Sequence, residues 1–146
     1  MSKSNVTESN WLKLIFNATP WALLADNAVT TPLTNLFVAL HTADPGEAGD
    51  QTTSEATYTG YARVAVARTS GGWTISGTAP TQAANAATIT FGLCTVGTNV
   101  ITFFSVGKIT SGASEILYSG ALTASLTVNP GITPSFAAGA LTITED

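Results

Sequence analysis

Charge is the first thing this chain has little of. Only 10% of its 146 residues are charged, against about 25% in an ordinary soluble domain. Five Lys and Arg residues face nine Asp and Glu, a formal net charge of -4. The five cations, Lys3, Lys13, Arg63, Arg68 and Lys108, are scattered rather than gathered into a patch, so the electrostatic footprint of a nucleic-acid binder is missing. One cysteine, Cys94, excludes an internal disulfide framework. Its apolar setting, Phe91-Gly92-Leu93-Cys94-Thr95-Val96, predicts a small buried residue. The single histidine, His41, and Cys94 leave too few nitrogen and sulfur ligands for zinc. No run of about 18 apolar residues marks a membrane span. The polar start, Met1-Ser2-Lys3-Ser4-Asn5, is not followed by the apolar stretch of a secretory signal. Neither nucleic acid nor membrane is an expected partner.

What is present is apolar or hydroxylated. Hydrophobic residues make up 45% of the chain, and the exterior must be solvated mainly by Thr, Ser, Asn and Gln. A partner covering such a surface desolvates little charge. Composition alone thus fits either a subunit of an assembly or a Thr-rich monomeric β-domain. The length suits one domain with a real core.

Residues Thr7 to Asn17 carry the helical period, with Trp11, Leu12, Leu14, Ile15 and Phe16 at three- and four-residue spacing. Thr7 is the expected cap and Pro20 the expected stop. Trp11 and Trp21 then either close one end of a β core or pack on a neighbouring subunit, where aromatic side chains are favoured anchors. From Leu36 the period becomes two. Leu36–His41 predicts a strand, followed by a long acidic loop from Thr42 to Gly60 and a second strand over Tyr61–Arg68. Connections of that length in a compact domain are uncommon and usually functional or disordered. Gly71-Gly72 predicts a turn, Trp73–Ile75 a short strand, and Pro80–Asn85 a loop. Ala87–Phe91 alternates, and Val100–Val106, apolar on both faces, predicts a central buried strand. A loop over Thr110–Ser114 leads to short strands at Glu115–Ser119, Ala121–Leu122 and Leu126–Val128, the last ending at the turn Asn129-Pro130-Gly131. Leu141–Thr144 closes the chain as a strand whose apolar face needs cover. About eight short strands with regular turn signals predict an all-β, antiparallel β-sandwich at 31–146 behind an N-terminal helical arm at 1–30.

The loop invites chemical readings. Calcium would want about 6–8 oxygen ligands, and Asp44, Glu47, Asp50 and Glu55 could supply some. Their spacing is not that of an EF-hand, and a solvated acidic loop explains them equally. Asp44-Pro45-Gly46 reads more simply as a turn. Asp50 and Glu55 as a glycosidase pair would need a cleft, and nothing near them would raise a pKa. No G-x-S-x-G, HExxH or P-loop is present, and a Ser-His-Asp triad has only His41 to build on. No catalytic residue, metal ligand or cofactor is expected. Arg63 and Arg68 could pair with acids such as Asp44 or Glu47 to pin the loop, or could meet acids on a neighbouring chain.

Two segments carry a family resemblance. Ala39-Leu40-His41-Thr42-Ala43-Asp44-Pro45-Gly46-Glu47-Ala48-Gly49-Asp50, followed by Gly60-Tyr61-Ala62-Arg63-Val64-Ala65-Val66, resembles a family of small tailed-bacteriophage virion proteins, often labelled tail-fibre proteins. The C-terminal half agrees in order: Leu117–Thr123, then Val128-Asn129-Pro130-Gly131, then Phe136–Ile143. The resemblance implies a β-sandwich, jelly-roll-like in form, used as a head-decoration (cement) protein on the capsid exterior. Its implied partners are the major capsid protein and other copies of itself, with a trimer the expected state. The alternative it leaves open is a tail-fibre or receptor-binding module whose Tyr58 and Tyr61 stack on host glycan. The expected interaction surface is Trp11, Trp21, Asp44, Glu47, Asp50, Tyr58, Tyr61 and Arg63.

Overall fold

The computed structural model describes residues 4–21, 33–78 and 80–145. The helix cap lies three residues earlier than Thr7. Ser4 is the cap: its backbone is extended and its hydroxyl accepts from Thr7 N, which satisfies one of the orphan amides of the first turn. Helix α1 then runs Asn5–Phe16. Leu12 and Phe16, four residues apart, are fully buried, as one face of a 3.6-residue period requires. The helix ends at Asn17, whose amide returns to Lys13 O, and Ala18 takes a positive φ of 50°. Arg68 completes this end. Its Nε donates to Ile15 O at 2.7 Å, Nη2 to Leu14 O at 2.8 Å and Nη1 to Leu33 O at 2.8 Å. A cation on the last open carbonyls of a helix is favourable for both hydrogen bonding and the helix dipole. Among the described residues Arg68 thus binds carbonyls and pairs with neither Asp44 nor Glu47, the acids the sequence suggested.

Nine strands follow among the described residues: β1 Asn35–His41, β2 Val64–Ala67, β3 Trp73–Ser76, β4 Thr81–Asn85, β5 Ile89–Thr90, β6 Asn99–Gly107, β7 Ile116–Val128, β8 Ser135–Phe136 and β9 Thr142–Glu145. They form sheets in the orders β2-β1-β6-β7, β3-β4-β9 and β5-β8. The pairs β1 with β6, β6 with β7, β3 with β4 and β4 with β9 are antiparallel, so the fold is all-β with one short helix among the described residues, consistent with a β-sandwich. No helix among the described residues is long and apolar enough to cross a membrane.

Two compact units draw on interleaved segments of chain. The first comprises 1–35, 66–89 and 136–146, and the second 36–65 and 90–135. In the first unit, Phe16 packs on Trp73 with ring centroids 4.7 Å apart. The middle strand of its sheet is β4, which the sequence presents as a loop. Its inward residues Thr81, Ala83 and Asn85 are buried but small or polar, so hydrophobic alternation cannot reveal them. Small size is what the register asks for: Asn85 lies opposite Trp73, and Ala83 sits between Ile75 and Ile143. Asn85 also holds the chain end, donating through Nδ2 to Ala87 O and Ala137 O, both at 2.8 Å, and accepting from Leu141 N at 2.9 Å. Strand β9 is paired with β4 in this sheet, as expected for the closing strand.

The second unit is built around β1 and β6. Strand β6 lies between β1 and β7, which agrees with its two apolar faces. Leu36, Val38, Leu40, Ile101, Phe104 and Val106 are buried there, and Cys94 is buried as expected. Of the alternating stretch Ala87–Phe91, only Ile89–Thr90 forms a ladder, while Phe91 N donates instead to Pro134 O. The short strands expected between Glu115 and Val128 are one strand with an interruption. Ile101 faces Leu126 but Phe103 faces Ala121, so Leu122, Thr123, Ala124 and Ser125 stand opposite Thr102 alone.

Candidate functional site

The long loop after β1 is ordered by short local bonds. Asp44 Oδ1 accepts from Gly46 N at 2.9 Å, and Gly46 has a φ of +70°, the Asx turn that Asp-Pro-Gly favours. Asp50 Oδ1 accepts from Thr52 N at 2.7 Å and from Thr52 Oγ1 at 2.5 Å. Those bonds to the ionised form hold the Asp50 carboxyl below its ordinary value. The loop closes on itself where Thr42 N donates to Ser54 O and Ala56 N to Leu40 O. His41 and Glu55 thereby form an isolated antiparallel bridge. Gln51 N donates to Ser114 O, which ties the middle of the loop to the segment before β7. An excursion that looks irregular in sequence is thus a folded turn with a fixed base.

Charge pins that base. Arg63, 7% exposed, meets Glu55 in a two-pronged pair, Nε to Oε1 at 2.7 Å and Nη2 to Oε2 at 2.8 Å. Its remaining donors reach Ile109 O at 3.2 Å and Gly112 O at 2.8 Å. The flat guanidinium suits this arrangement, since it presents five donors in a fixed fork. Tyr61 Oη donates to Glu55 Oε1 at 2.9 Å and accepts from Leu40 N at 3.0 Å. Burial, and then the neighbouring carboxylate, push the Tyr61 phenol well above its ordinary value. Arg63 does fix the loop, but its acid is Glu55, eight residues away, and not Asp44 or Glu47. Those two are exposed at the loop tip, where an ion pair would be worth little.

Beneath lies a buried polar relay. His41 Nε2 sits 2.7 Å from Ser105 Oγ and Nδ1 2.8 Å from Thr53 O. A carbonyl can only accept, so the imidazole carries its proton on Nδ1 and Nε2 accepts from the serine hydroxyl. Gln51 Nε2 donates to Ser105 Oγ at 3.2 Å and to Phe37 O at 3.0 Å. His41, Ser105 and Gln51 are all 0% exposed. Desolvation lowers the His41 pKa, outweighing the bond to Thr53 O and the Glu55 charge. The Ser–His geometry is that of a nucleophile and its base, yet the third partner is a backbone carbonyl and no substrate carbonyl could reach the hydroxyl. The arrangement is a neutral hydrogen-bonded core linking loop, β1 and β6.

The other residues expected at an interaction surface fall elsewhere. Tyr58 is 3% exposed; its hydroxyl donates to Gly92 O at 3.1 Å, and burial pushes its pKa up to about 12. Tyr61 stacks on Phe91, with centroids 6.2 Å apart, and meets Tyr58 edge-on at 5.5 Å. The Tyr58 ring is therefore committed to the interior and does not offer the stacking platform for sugar expected of it, while Tyr61 is half-buried with its hydroxyl bonded to Glu55 and its ring stacked on Phe91. Trp11 is 43% exposed and Trp21 half-buried, and both belong to the first unit, whereas the loop belongs to the second. Glu47 takes no hydrogen bond among the described residues that bears on the site. Among those residues no three His, Cys, Asp or Glu side chains converge as metal ligands. Sequence reasoning missed Gln51 and Ser105 as partners of His41; Gln and Ser in such a chain are too common to stand out. Gly107 was also missed, though a Cβ there would lie 2.2 Å from Gln51 Oε1.

What remains for contact is a surface almost free of charge. No Asp, Glu, Lys or Arg occurs in 69–107 or in 116–144. Leu93, Val96, Val100, Leu126 and Ile132 are exposed within these stretches. The loops carrying Leu93, Val96 and Ile132 are stitched by Thr59 N to Val96 O, Cys94 N to Ile132 O and Gly131 N to Cys94 O.

The sequence model of one family, described as podophage GP4 fiber I protein gp80, matches residues 2–144. The chain belongs to this family and is a small tailed-phage virion protein, as the motifs around Asp44 and Arg63 suggest. No curated protein matches it.

Proposed function

We propose that this member of the podophage fiber I family is a non-enzymatic structural subunit of a phage fibre, which meets other copies of itself through its uncharged surface. The family assignment across residues 2–144 carries the reading. Two features of the chain support it. The frame under the surface is rigid, with the long loop held by Arg63–Glu55 and by His41–Ser105, so little ordering is required on contact. The exposed stretches 69–107 and 116–144 bring no charge to desolvate. The nucleophile–base geometry of Ser105 and His41 is fully buried, which supports a structural role over a hydrolytic one.

Capsid decoration is the second reading, with the major capsid protein and further copies of the chain as partners. It is favoured by the same charge-poor exterior, which would let a cement protein cover adjacent capsid subunits and stabilise the lattice by preferential binding. Copy number in purified virions, measured by quantitative mass spectrometry against the major capsid protein, separates the two. A handful of copies per particle is the result expected for a fibre. A ratio near one per capsid subunit would overturn the fibre reading in favour of decoration, and absence from the virion would overturn both.

A further inference from the structure

The buried relay under the long loop runs in one direction, and its two ends fix that direction. At one end Phe37 O accepts from Gln51 Nε2 at 3.0 Å, and at the other Thr53 O lies 2.8 Å from His41 Nδ1. A carbonyl only accepts, so the Gln51 amide turns its NH2 to Phe37 and the imidazole carries its proton on Nδ1. Between them Gln51 Nε2 donates to Ser105 Oγ at 3.2 Å, and Ser105 Oγ donates across 2.7 Å to His41 Nε2. Every proton in the series has its acceptor, and the arrangement holds for a neutral imidazole. All three side chains are 0% exposed, so bulk water does not reach in to take up a misplaced proton.

One added proton has no such place. Protonated at Nε2, the ring donates from both nitrogens, and Ser105 Oγ must turn its own hydrogen elsewhere. The acceptor left over in the network is Gln51 Oε1, buried without a hydrogen-bond partner among the described residues. Presenting it to Ser105 takes a rotation of the amide that carries Nε2 away from Phe37 O. The bond to Thr53 O survives, because Nδ1 donates in both forms. Acid therefore acts on the Gln51 end of the relay, and it does so through the serine.

Gln51 belongs to the loop, and the sheet seats it among small residues. Phe37, Ala39 and His41 lie opposite Gly107, Ser105 and Phe103 in the β1–β6 register, and a Cβ on Gly107 would lie 2.2 Å from Gln51 Oε1. The Gln51 backbone amide also holds the loop, through Ser114 O. The loop base is held separately, by Arg63–Glu55 and by the amides of Thr42 and Ala56. The charges facing His41 are Glu55, across its bridge, which favours protonation of the ring, and Arg63, which opposes it. Tyr61 is bonded to that Glu55, and β6 presents the neutral Ser105 and Phe103. Asp50, beside Gln51, is held below its ordinary value by the bonds from Thr52.

We propose that Gln51 is an acid-released latch: protonation of His41, passed on by Ser105, frees the middle of the Thr42–Gly60 loop from the sheet while its base stays closed. Burial lowers the His41 pKa, so the latched form is complete above about 6.5 and is lost as pH falls through the folded value. Below that value each pH unit raises the released population about tenfold. The latch is a property of the subunit, so it stands or falls independently of virion copy number.

The test is an NMR titration of the full chain from pH 7.5 downward, with amide exchange corrected for its intrinsic pH dependence. The Gln51 side-chain amide signals are expected to move with the His41 ring, at the same midpoint. Protection of the Gln51 backbone amide should fall about tenfold or more, while the amides of Ala56 and Leu141 keep theirs. Ser105→Ala removes the go-between: its His41 should still take up a proton, with Gln51 protection flat across that titration. The wild-type titration decides alone if this variant folds poorly. A His41 ring that titrates with Gln51 unmoved would overturn the proposal. So would a ring that stays neutral until Leu141 is lost with the rest of the fold, or a Ser105→Ala chain whose Gln51 responds as in the wild type.

Discussion

Replacing Arg63 with alanine tests whether the long loop is held by charge or by its backbone turns. The side chain makes four hydrogen bonds, two to Glu55 and one each to Ile109 O and Gly112 O. The side chains of the pair are only 2% and 17% exposed. Removing one partner of a buried pair strands the other charge and costs about 3–5 kcal/mol. Water reaches Glu55 to some extent and Tyr61 still donates to it, so the lower end applies, about 3 kcal/mol. The loss should be largely local. Amides of Thr42 and Ala56, which close the loop onto Ser54 O and Leu40 O, should lose hydrogen-exchange protection, while the amide of Leu141, bonded to Asn85, should not. Arg63→Lys should recover less than half of the loss, because one ammonium cannot form the two-pronged pair and reach both carbonyls. Urea unfolding gives the magnitude and exchange gives the location. A change under about 1 kcal/mol with Thr42 and Ala56 still protected would show that the turns hold the loop unaided.

Three further outcomes follow from the same geometry. His41 is buried neutral with its pKa lowered, so the unfolded chain binds a proton that the folded one refuses. Stability from this group is complete above the ordinary value of about 6.5 and is lost as pH falls towards the folded value, by up to about 1.4 kcal/mol per pH unit. Unfolding midpoints measured from pH 7.5 downward check the slope, and an imidazole NMR titration at the ordinary value would contradict it. Gly107→Ala would drive a methyl into the Gln51 amide, breaking its bonds to Phe37 O and Ser105; a loss of about 2 kcal/mol in urea unfolding is expected, and a neutral result would mean that Gln51 is free to move. Arg68→Ala should fray α1, costing about 1–2 kcal/mol and reducing helical circular dichroism, with unchanged helicity as the contrary result.

The strands legible in the sequence were those whose inward residues are large. Leu36–His41, Val100–Val106 and Leu141–Thr144 announced themselves by alternation or by continuous apolarity, and the structure builds β1, β6 and β9 there. Strand β4 did not, because a strand facing Trp73 must supply small side chains, and Thr-Gln-Ala-Ala-Asn looks like a loop on any hydrophobic scale. The Arg63 role was legible as a loop clamp, while its partner was not. Glu55 and Arg63 are brought together by a fold-back whose turns depend on Asp44, Gly46 and Asp50, and spacing alone does not say which acid the turn returns. The helix start was misplaced because Ser4 and Thr7 are both good caps, and the winner is the one whose hydroxyl reaches an amide three residues on.

The scarcity of charge and the placement of the few charges describe one division of labour. Arg63, Arg68 and Glu55 are turned inward, where they clamp a loop and a helix end, and Lys108 pairs with Glu115 beside the same loop. Four of the seven charged residues in the second unit, Glu55, Arg63, Lys108 and Glu115, are thereby engaged in pairs that hold the loop region together. The exterior is left to hydroxyls and aliphatics across 69–107 and 116–144. A free monomer gains nothing from such an exterior, since net charge at the surface is what keeps proteins apart in solution. A subunit that is rigid before it meets a neighbour gains from both halves of the arrangement: internal charge sets the shape, and the uncharged stretches 69–107 and 116–144 put no like charges in the way of the proposed association between copies.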